Sequence, residues 1–383
     1  MSSRKLQTLS DLGSLDLMSG TFRARLLTWY DTHARDLPWR QRPSSTEQSS
    51  TKPRDPYPVW LSEIMLQQTR VAAVIAHYHE FLRRFPSVEK LARARQASVL
   101  AAWSGLGYYR RARMLHAAAK VVVRERGGKF PATAEELRAL PGVGRYTAAA
   151  IASIAFGEPV AVVDGNVERV LQRVSGQRLA GEEFWLATEG LLDRNRPGDF
   201  NQAMMELGAT VCTPRAPACL TCPVVDLCAT RGEMPGAAKV PRQKKREIDY
   251  LLDYRGGAVF LVQRPHNARL MAGMWELPQA DAPSGAKAQS NGAGKIAALK
   301  APRHPKAKRA PTPEACITLR HSITLTDYTV RVWRMPVPEQ AAGKWIPVEK
   351  LSRVALTGLA RKILRKAEIM AAHPTSVGPT DLE

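Results

Sequence analysis

Two carboxylic acids lie in sequence settings that suit the breaking of a glycosidic bond. The first, Glu63, would stand on a mostly apolar helix face, because its neighbours one helical turn away are Val59, Trp60, Leu66 and Gln67. Burial on such a face raises a carboxyl pKa, as a general acid at neutral pH requires. A solvent-exposed Glu on an amphipathic helix is the commoner alternative.

The second acid, Asp164, follows the apolar run at 160–163 and precedes Gly165 and Asn166. Asp is a favoured helix N-cap, which is a purely structural reason for its position. An ionised carboxylate at a helix start can also stabilise a sugar cation or bond to it. One protonated and one ionised carboxyl is the division of roles that glycosidic cleavage uses.

Four cysteines form a compact pattern, Cys-x6-Cys-x2-Cys-x5-Cys, at Cys212, Cys219, Cys222 and Cys228. We expect no secretory leader, so the pattern predicts a metal site rather than a disulfide framework. Four thiolates suit either zinc or a [4Fe–4S] cluster. The second Cys-x2-Cys pair of a zinc ribbon is missing, which favours iron–sulfur. The fifth cysteine, Cys316, is expected to be a buried apolar residue.

A tight turn between two helices could hold the chain on DNA. Residues 140–144 read Leu-Pro-Gly-Val-Gly, after a capping box at Thr133 and Glu136 and before a helical stretch from Arg145 to Phe156. Backbone N–H groups at Gly142, Val143 and Gly144, with the positive end of the second helix, predict a DNA phosphate site. An ordinary helix–helix turn is the alternative.

Charge and composition agree with a nucleic-acid partner. The net charge is +21, and 287–309 alone holds seven basic residues and no acidic one. No apolar run approaches the length of a membrane span. We therefore expect a cytoplasmic, nucleoid-associated monomer that does not contact membranes.

The apolar period changes once along the chain, which divides it into two domains. Residues 1–20 are expected to be a flexible arm, 21–232 an all-α region, and 233–247 a basic linker. Residues 248–370 alternate as strands do and are expected to be α+β, with strand pairs at 249–254 with 258–263 and at 317–325 with 328–333 and a closing helix near 359–370. We expect 281–312 to be a disordered insertion and 371–383 a tail.

Together these motifs resemble the endonuclease III superfamily of helix-hairpin-helix DNA glycosylases, and within it the MutY-type adenine glycosylases. The resemblance covers about residues 20–368. The matching segments are 61–69, 105–109, 140–147, 163–167, 200–203 and the four cysteines. It implies an all-α helix-hairpin-helix glycosylase domain with an iron–sulfur cluster loop. Within that domain it implies a six-helix module at 51–157, an iron–sulfur module at 21–50 and 158–232, and a [4Fe–4S] cluster on the four cysteines.

The resemblance also implies a substrate and a role for each matching residue. The substrate is double-stranded DNA with adenine mispaired with 8-oxoguanine or guanine, and the adenine is flipped out of the duplex. Glu63 would protonate adenine at N7 and later activate water, and Asp164 would stabilise or bond the sugar cation, assisted by Asn166 and Tyr146. The adenine pocket would contain Arg35, Trp39, Leu66 and Gln202. A wedge beside the lesion would contain Gln68, Thr69, Leu106 and Tyr108.

Tyr146 discriminates between members of this superfamily. Members that also cut the backbone carry a Lys after Gly-Val-Gly-Arg, because an amine forms the Schiff base with the sugar. Tyr146 therefore favours a monofunctional glycosylase over one for oxidised pyrimidines. A thymine-mismatch glycosylase and a non-catalytic, redox-sensing DNA-binding protein are the competing hypotheses. Glu63 with Gln67 and Gln68 favours adenine, and the presence of both acids opposes a mere binder.

The C-terminal region resembles a MutT-like, or nudix-like, domain, most clearly at 273–278 (GMWELP). It lacks an acidic nucleotide-hydrolase box, so it is expected to bind the lesion rather than to cut. Ile323, Thr324 and Leu325 stand where the family often has Phe-Ser-His. Thr324 keeps a hydroxyl there and is the lesion contact that we expect from this domain.

Overall fold

The computed structural model describes residues 19–40, 54–234, 244–265, 267–268, 270–280, 315–323, 326–338 and 340–370. They belong to two compact units. The first is built from Met1–Arg93 and Met114–Ala238, and the second from Ala94–Arg113 and Lys239–Glu383. None of the helices in these ranges is long and apolar enough to cross a membrane.

The described part of the first unit is helical. Its helices are α1 (19–33), α2 (Pro56–Leu66), α3 (Val71–Arg84), α4 (Val88–Arg93), most of α6 (Arg110–Arg126), α7 (Ala134–Leu137), α8 (Arg145–Phe156), α9 (Gly165–Ser175), α10 (Glu182–Leu191) and α11 (Pro197–Thr210). Two short 3-10 turns follow, at Cys219–Thr221 and Val225–Leu227.

Local sequence signals set the ends of the helices that carry the site. α2 begins with Pro56 after the capping side chain of Asp55, and α8 ends at Gly157 in a left-handed conformation. α9 begins at Asp164 and ends at Gly176, also left-handed. α8 packs against both α2 and α11, and α11 packs against α9. The candidate acids on α2 and α9 are thereby held against a common pair of helices.

The second unit combines strands and helices. It contains α5 (Gln96–Ala102), β1 (Lys244–Leu252), β2 (Tyr254–Arg255), β3 (Ala258–Gln263), β4 (Trp275–Glu276), β5 (Ile317–Ile323), β6 (Thr326–Arg334), β7 (Lys344–Pro347), a 3-10 turn at Val348–Arg353 and α12 (Gly358–Lys366). One sheet has the order β1-β6-β5, with β1 parallel and β5 antiparallel to β6. In the other, β3 pairs with β2, β4 and β7. The predicted fold class, an all-α domain followed by an α+β domain, is confirmed.

The strand pairing differs in part from the prediction. The second predicted pair forms as β5 and β6, and the turn at Gly256 and Gly257 joins β2 to β3 as expected. β2 is only two residues long, however, because the stretch before it pairs in parallel with β6. β1 begins at Lys244, so the last four residues of the predicted linker are strand. Cys316 is exposed, not buried.

Several predicted segments lie wholly or largely outside the described residues, and one predicted module is divided between the two units. The arm at 1–20 has its last two residues in α1, and its other residues, the insertion at 281–312 and the tail at 371–383 lie outside the described residues. The expected module at 51–157 is interrupted, because Ala94–Arg113 packs with the C-terminal unit. The Ser104 hydroxyl donates to Leu356 O at 2.8 Å, which shows one physical reason for this grouping.

Candidate active site

Glu63 is a buried acid on a buried helix. Its side chain points into the interior of the first unit and the residue is only 6% exposed. Most of α2 is buried as well, so this helix has no polar face on which Glu63 could reach solvent. Burial raises the pKa of Glu63 to about 7, with a further rise from Asp164 and opposing effects from Tyr146 and Arg40. The carboxyl can therefore hold a proton at neutral pH.

Tyr146 is the hydrogen-bonding partner of Glu63. It lies in the first turn of α8, and its hydroxyl donates to Glu63 Oε2 at 2.8 Å and lies 3.3 Å from Met205 Sδ on α11. Burial, together with the nearby Glu63 and Asp164, raises the pKa of Tyr146 well above its usual value. The phenol therefore remains a neutral donor.

Asp164 is both an N-cap and a neighbour of the acid. One carboxylate oxygen, Oδ1, accepts from the backbone N–H groups of Asn166 and Val167 at 2.9 and 2.8 Å. The other, Oδ2, accepts from Asn166 Nδ2 at 2.9 Å. The structural interpretation of Asp164 is thus correct, and three donors fix the carboxylate at the start of α9.

Asn166 connects this carboxylate to the cysteine region. Its Oδ1 accepts from Arg169 Nη2 at 2.8 Å, and Arg169 Nε donates to Cys212 O at 2.7 Å. Asn166 also packs closely on α11, since a Cβ added to Gly208 would lie 2.6 Å from Asn166 Cβ. The position of Asn166 is therefore set from two sides.

The four cysteines predicted as ligands line one cavity. Its walls are otherwise largely apolar and include Val170, Val174, Val211, Pro217, Val224 and Val225. The buried Arg173 donates from Nη1 to Cys212 Sγ at 3.3 Å, and the Arg231 N–H donates to Cys228 Sγ at 3.4 Å. Arg173 Nε is buried with no hydrogen-bond partner. These N–H donors and the four thiols suit an anionic sulfur-ligated group.

Burial raises the pKa of Cys222 to about 11, so its thiolate would need a bound metal. Within the described ranges, no three His, Cys, Asp or Glu side chains form a site for a single metal ion.

The helix-hairpin-helix turn has the predicted geometry. Gly142 adopts a left-handed φ of 77°, and Gly144 is the N-cap of α8 without a side-chain cap. Gly142 and Gly144 are both exposed, whereas Val143 is buried at 7% exposure. The first N–H groups of α8 are thus accessible beside the turn, as a phosphate site requires.

Comparison with known proteins identifies the family. Residues 61–180 match the model described as "HhH-GPD superfamily base excision DNA repair protein", and residues 250–366 match the NUDIX domain model. The solved structure of a thermostable thymine-DNA glycosylase aligns with a TM-score of 0.51 and 30% identity, over 57% of this chain and 98% of that one. The chain belongs to the HhH-GPD superfamily.

Curated relatives of the chain include adenine DNA glycosylases from two distant organisms. The one from Homo sapiens is 43% identical over 314 residues, which cover 67% of this chain and 57% of the relative. The one from Arabidopsis thaliana is 43% identical over 300 residues, covering 67% of this chain and 47% of the relative. The chain thus spans about half of the length of these relatives.

The four predicted base-pocket residues differ in exposure. Trp39 is buried and packs edge-on against Tyr78, with ring centroids 5.4 Å apart. Gln202 on α11 is buried, and its Nε2 donates back to Gly198 O at 3.2 Å. Leu66 ends α2 and is half-buried, and the Arg35 side chain is 39% exposed. Arg35 thus offers the most accessible polar group of the four.

Sequence reasoning missed Glu206, the buried carboxylate that holds Arg35. Its Oε1 accepts from Arg35 Nε at 2.6 Å, and its Oε2 accepts from Arg35 Nη2 at 2.9 Å and from Arg40 Nη2 at 2.7 Å. Burial opposes ionisation, but these bonds lower the pKa of Glu206 to about 2. The only signal in the sequence was an acid one helical turn after Gln202.

Two of the four predicted wedge residues, Gln68 and Tyr108, have positive φ angles. Gln68 is exposed and follows the C-cap of α2 with a φ of 55°, and the half-buried Thr69 donates from its hydroxyl to Gln67 O at 3.3 Å. In the second unit, Tyr108 is 48% exposed, whereas Leu106 is 5% exposed. Of these two, only Tyr108 presents its side chain at the surface. Thr324 lies outside the described residues.

Proposed function

We propose that this HhH-GPD protein is a monofunctional DNA glycosylase that removes adenine mispaired with 8-oxoguanine or guanine in double-stranded DNA. The observation that carries the proposal is the buried Glu63, which keeps a proton near neutral pH and is hydrogen-bonded to Tyr146 beside Asp164. Two adenine DNA glycosylases that are 43% identical to the chain support the choice of base.

Each group in this arrangement has a chemical role. Glu63 donates its proton to N7 of the flipped adenine, which makes the base a better leaving group. Asp164 stabilises the sugar cation or bonds to it transiently, and its three N–H donors keep it oriented during that step. Glu63, now ionised, accepts a proton from the attacking water.

Tyr146 supports a glycosylase without lyase activity. It occupies the position at which lyases of the superfamily carry an amine, and a phenol forms no Schiff base with the sugar. Its hydroxyl holds the acid in place instead, at 2.8 Å.

The DNA contact is proposed to combine the hairpin with the positive charge of the chain. Exposed N–H groups at the start of α8 would bind one phosphate, and the net charge of +21 would attract the duplex over a longer range.

The four cysteines are proposed to hold a [4Fe–4S] cluster. The largely apolar walls and the N–H donors on Cys212 and Cys228 support this. Bound there, the cluster would cross-link α11 to the C-terminal loop of the unit. About four iron and four sulfide per chain in anaerobically purified protein would support it, and one zinc per chain would contradict it.

A glycosylase assay tests the activity. Duplexes carry adenine opposite 8-oxoguanine, adenine opposite guanine, thymine opposite guanine, or thymine glycol, and strand cutting is measured before and after alkali. We expect adenine release, seen as cutting after alkali only, and its loss in Glu63→Gln. The exposed Glu125→Gln on α6 is the matched control and should retain wild-type rates. Cutting before alkali, or no base release, would contradict the proposal.

Thymine opposite guanine is the second candidate substrate. The likeness to a thymine-DNA glycosylase over 98% of that chain favours it. Faster release of thymine than of adenine in the same assay would establish it instead.

A further inference from the structure

The loop at residues 105–108, here called the wedge loop, contains three residues with positive φ angles, one of which is not a glycine. Gly105, Gly107 and Tyr108 have φ angles of 119°, 71° and 46°. A positive φ is costly for a tyrosine, and such strain persists only where surrounding contacts enforce it. The loop also presents Tyr108 with 48% of its surface exposed. A strained loop that displays an aromatic ring is suited to insertion between stacked bases.

One set of contacts holds the wedge loop from its own flanks. Trp103 Nε1 donates to Gly107 O at 3.1 Å, and Arg111 Nη2 donates to Leu106 O at 3.2 Å. The Arg111 guanidinium also lies over the rings of Trp103 and Tyr108, at 5.4 and 5.5 Å from their centroids. These bonds fix the backbone of the loop relative to the residues that precede and follow it.

A second set of contacts fixes those flanks on the nudix-like domain. The hydroxyls of Ser104 and Tyr109, one on each side of the loop, donate to Leu356 O at 2.8 and 3.0 Å. Arg361 Nε on α12 donates to Ser104 Oγ at 3.0 Å. Ser104, Tyr109 and Arg361 are each at most 8% exposed. A buried polar network of this kind favours one arrangement of its members.

Leu356 O, which accepts hydrogen bonds from both hydroxyls, lies next to the GMWELP segment at 273–278. Trp275 N donates to Ala355 O at 2.9 Å, and Thr357 N donates to Trp275 O at 2.9 Å. Leu356 is thus held between two backbone bonds to β4. The wedge loop is therefore seated on the core of the domain that is expected to read the lesion.

We propose that Ser104 and Arg361 are positioning residues that set the preference for adenine opposite 8-oxoguanine over adenine opposite guanine. They act through the wedge loop, because Ser104 binds its first flank to Leu356 O and Arg361 donates to the same Ser104 hydroxyl. Insertion of Tyr108 then depends on how that domain sits on the base opposite adenine. This inference rests on the proposed function.

The test compares Ser104→Ala, Arg361→Met and the double variant with wild type. Lys366→Met on the same helix is the control, because it removes a similar positive charge that donates to Thr318 O at the surface. Single-turnover base release is measured on both mispairs, with melting temperature as a check on folding. Insertion is followed by the fluorescence of 2-aminopurine placed beside 8-oxoguanine, in a Glu63→Gln background that leaves the DNA uncut.

The two single variants are expected to lower the rate on adenine opposite 8-oxoguanine by roughly threefold to thirtyfold, with little change opposite guanine. The 2-aminopurine signal should fall in parallel. The double variant should be no worse than the more impaired single variant, because the two residues share one bond. Equal losses on both mispairs, or an unchanged preference, would overturn the inference. Ser104→Ala alone decides the matter if Arg361→Met does not fold.

Failure of the proposed function gives a different result. Wild-type protein would then release no adenine. The 2-aminopurine signal of Ser104→Ala would still show whether the bond from Ser104 to Leu356 O controls the insertion of Tyr108. A signal equal to wild type would overturn the inference in that case too.

Discussion

The Tyr146 hydroxyl lies 2.8 Å from Glu63 Oε2, and this bond opposes the effect of burial on the same carboxyl. Burial favours the neutral acid, whereas a donated hydrogen bond favours the ionised form. The two effects leave the pKa of Glu63 at about 7. A group with such a pKa can both give up and take back a proton at neutral pH, as the two halves of a hydrolysis require.

Tyr146→Phe should shift the pH dependence of base release. The proposed activity needs protonated Glu63, so it should fall as the pH rises through about 7. Loss of the phenol removes an influence that lowers this pKa, so the fall should move to higher pH. The measurement is the single-turnover rate from pH 5 to 9, with the exposed Tyr254→Phe as control. A move to lower pH would show that the bond does not act on Glu63.

Gly208→Ala should impair catalysis without altering any acid. A Cβ at this position would lie 2.6 Å from Asn166 Cβ, so Asn166 must move, and with it the donor on Asp164 Oδ2. Displacement of such a group by about 1 Å costs on the order of 100-fold in rate. Gly190→Ala on α10 is the control, because its Cβ meets nothing within 4 Å. Wild-type rates in Gly208→Ala would exclude a role for this contact.

Glu206→Gln should destabilise the first unit in a pH-dependent way. Removal of one partner from a buried ion pair costs about 3–5 kcal/mol. The pKa of Glu206 is lowered to about 2, so its stabilising effect is present above the unfolded pKa and is lost as the pH falls towards 2. Urea unfolding at pH 7 and pH 3 measures the difference between variant and wild type. The difference should shrink at pH 3, and a difference that grows there would contradict the assignment.

Gly142→Ala should damage the hairpin, and Gly144→Ala should not. Gly142 has a φ of 77°, and an added Cβ would lie 2.4 Å from Met114 Cβ on α6. Gly144 has a φ of −89° and open space around its Cβ position. We expect a loss of about 1–3 kcal/mol for the first variant, with weaker duplex binding and a shallower salt dependence. Equal duplex affinities for the two variants would count against the hairpin as the phosphate site.

The sequence predicted what local chemistry determines. Asp164 was assigned as an N-cap from its residue type and position, and the carboxylate accepts from the N–H groups of Asn166 and Val167 as expected. The turn at Gly142 follows from the need for a left-handed residue. These features depend on neighbours within a few positions, which a single sequence displays.

The sequence alone did not predict contacts between residues that are far apart along the chain. Glu206 meets Arg35 across 171 positions, and Ser104 meets Leu356 across 252. Nothing in the immediate sequence of these residues distinguishes them from surface residues. Leu106 was expected in a wedge because of a motif, yet its burial depends on how the loop folds back. Patterns of residue type identify helices and caps, but they do not identify partners chosen by the tertiary fold.

Helix α8 carries two groups with separate tasks only two residues apart. Gly144, at its N-cap, belongs to the proposed phosphate site, and Tyr146, in its first turn, holds Glu63. With a rise of about 1.5 Å per residue, the two differ by about 3 Å along one rigid axis. The helix therefore sets the distance between the proposed site for a DNA phosphate and the acid that would act on the glycosidic bond. Under the proposed function, a tilt of α8 that changes the phosphate contact also changes the orientation of Glu63. DNA affinity and the rate of base release would then be coupled at this end of the helix.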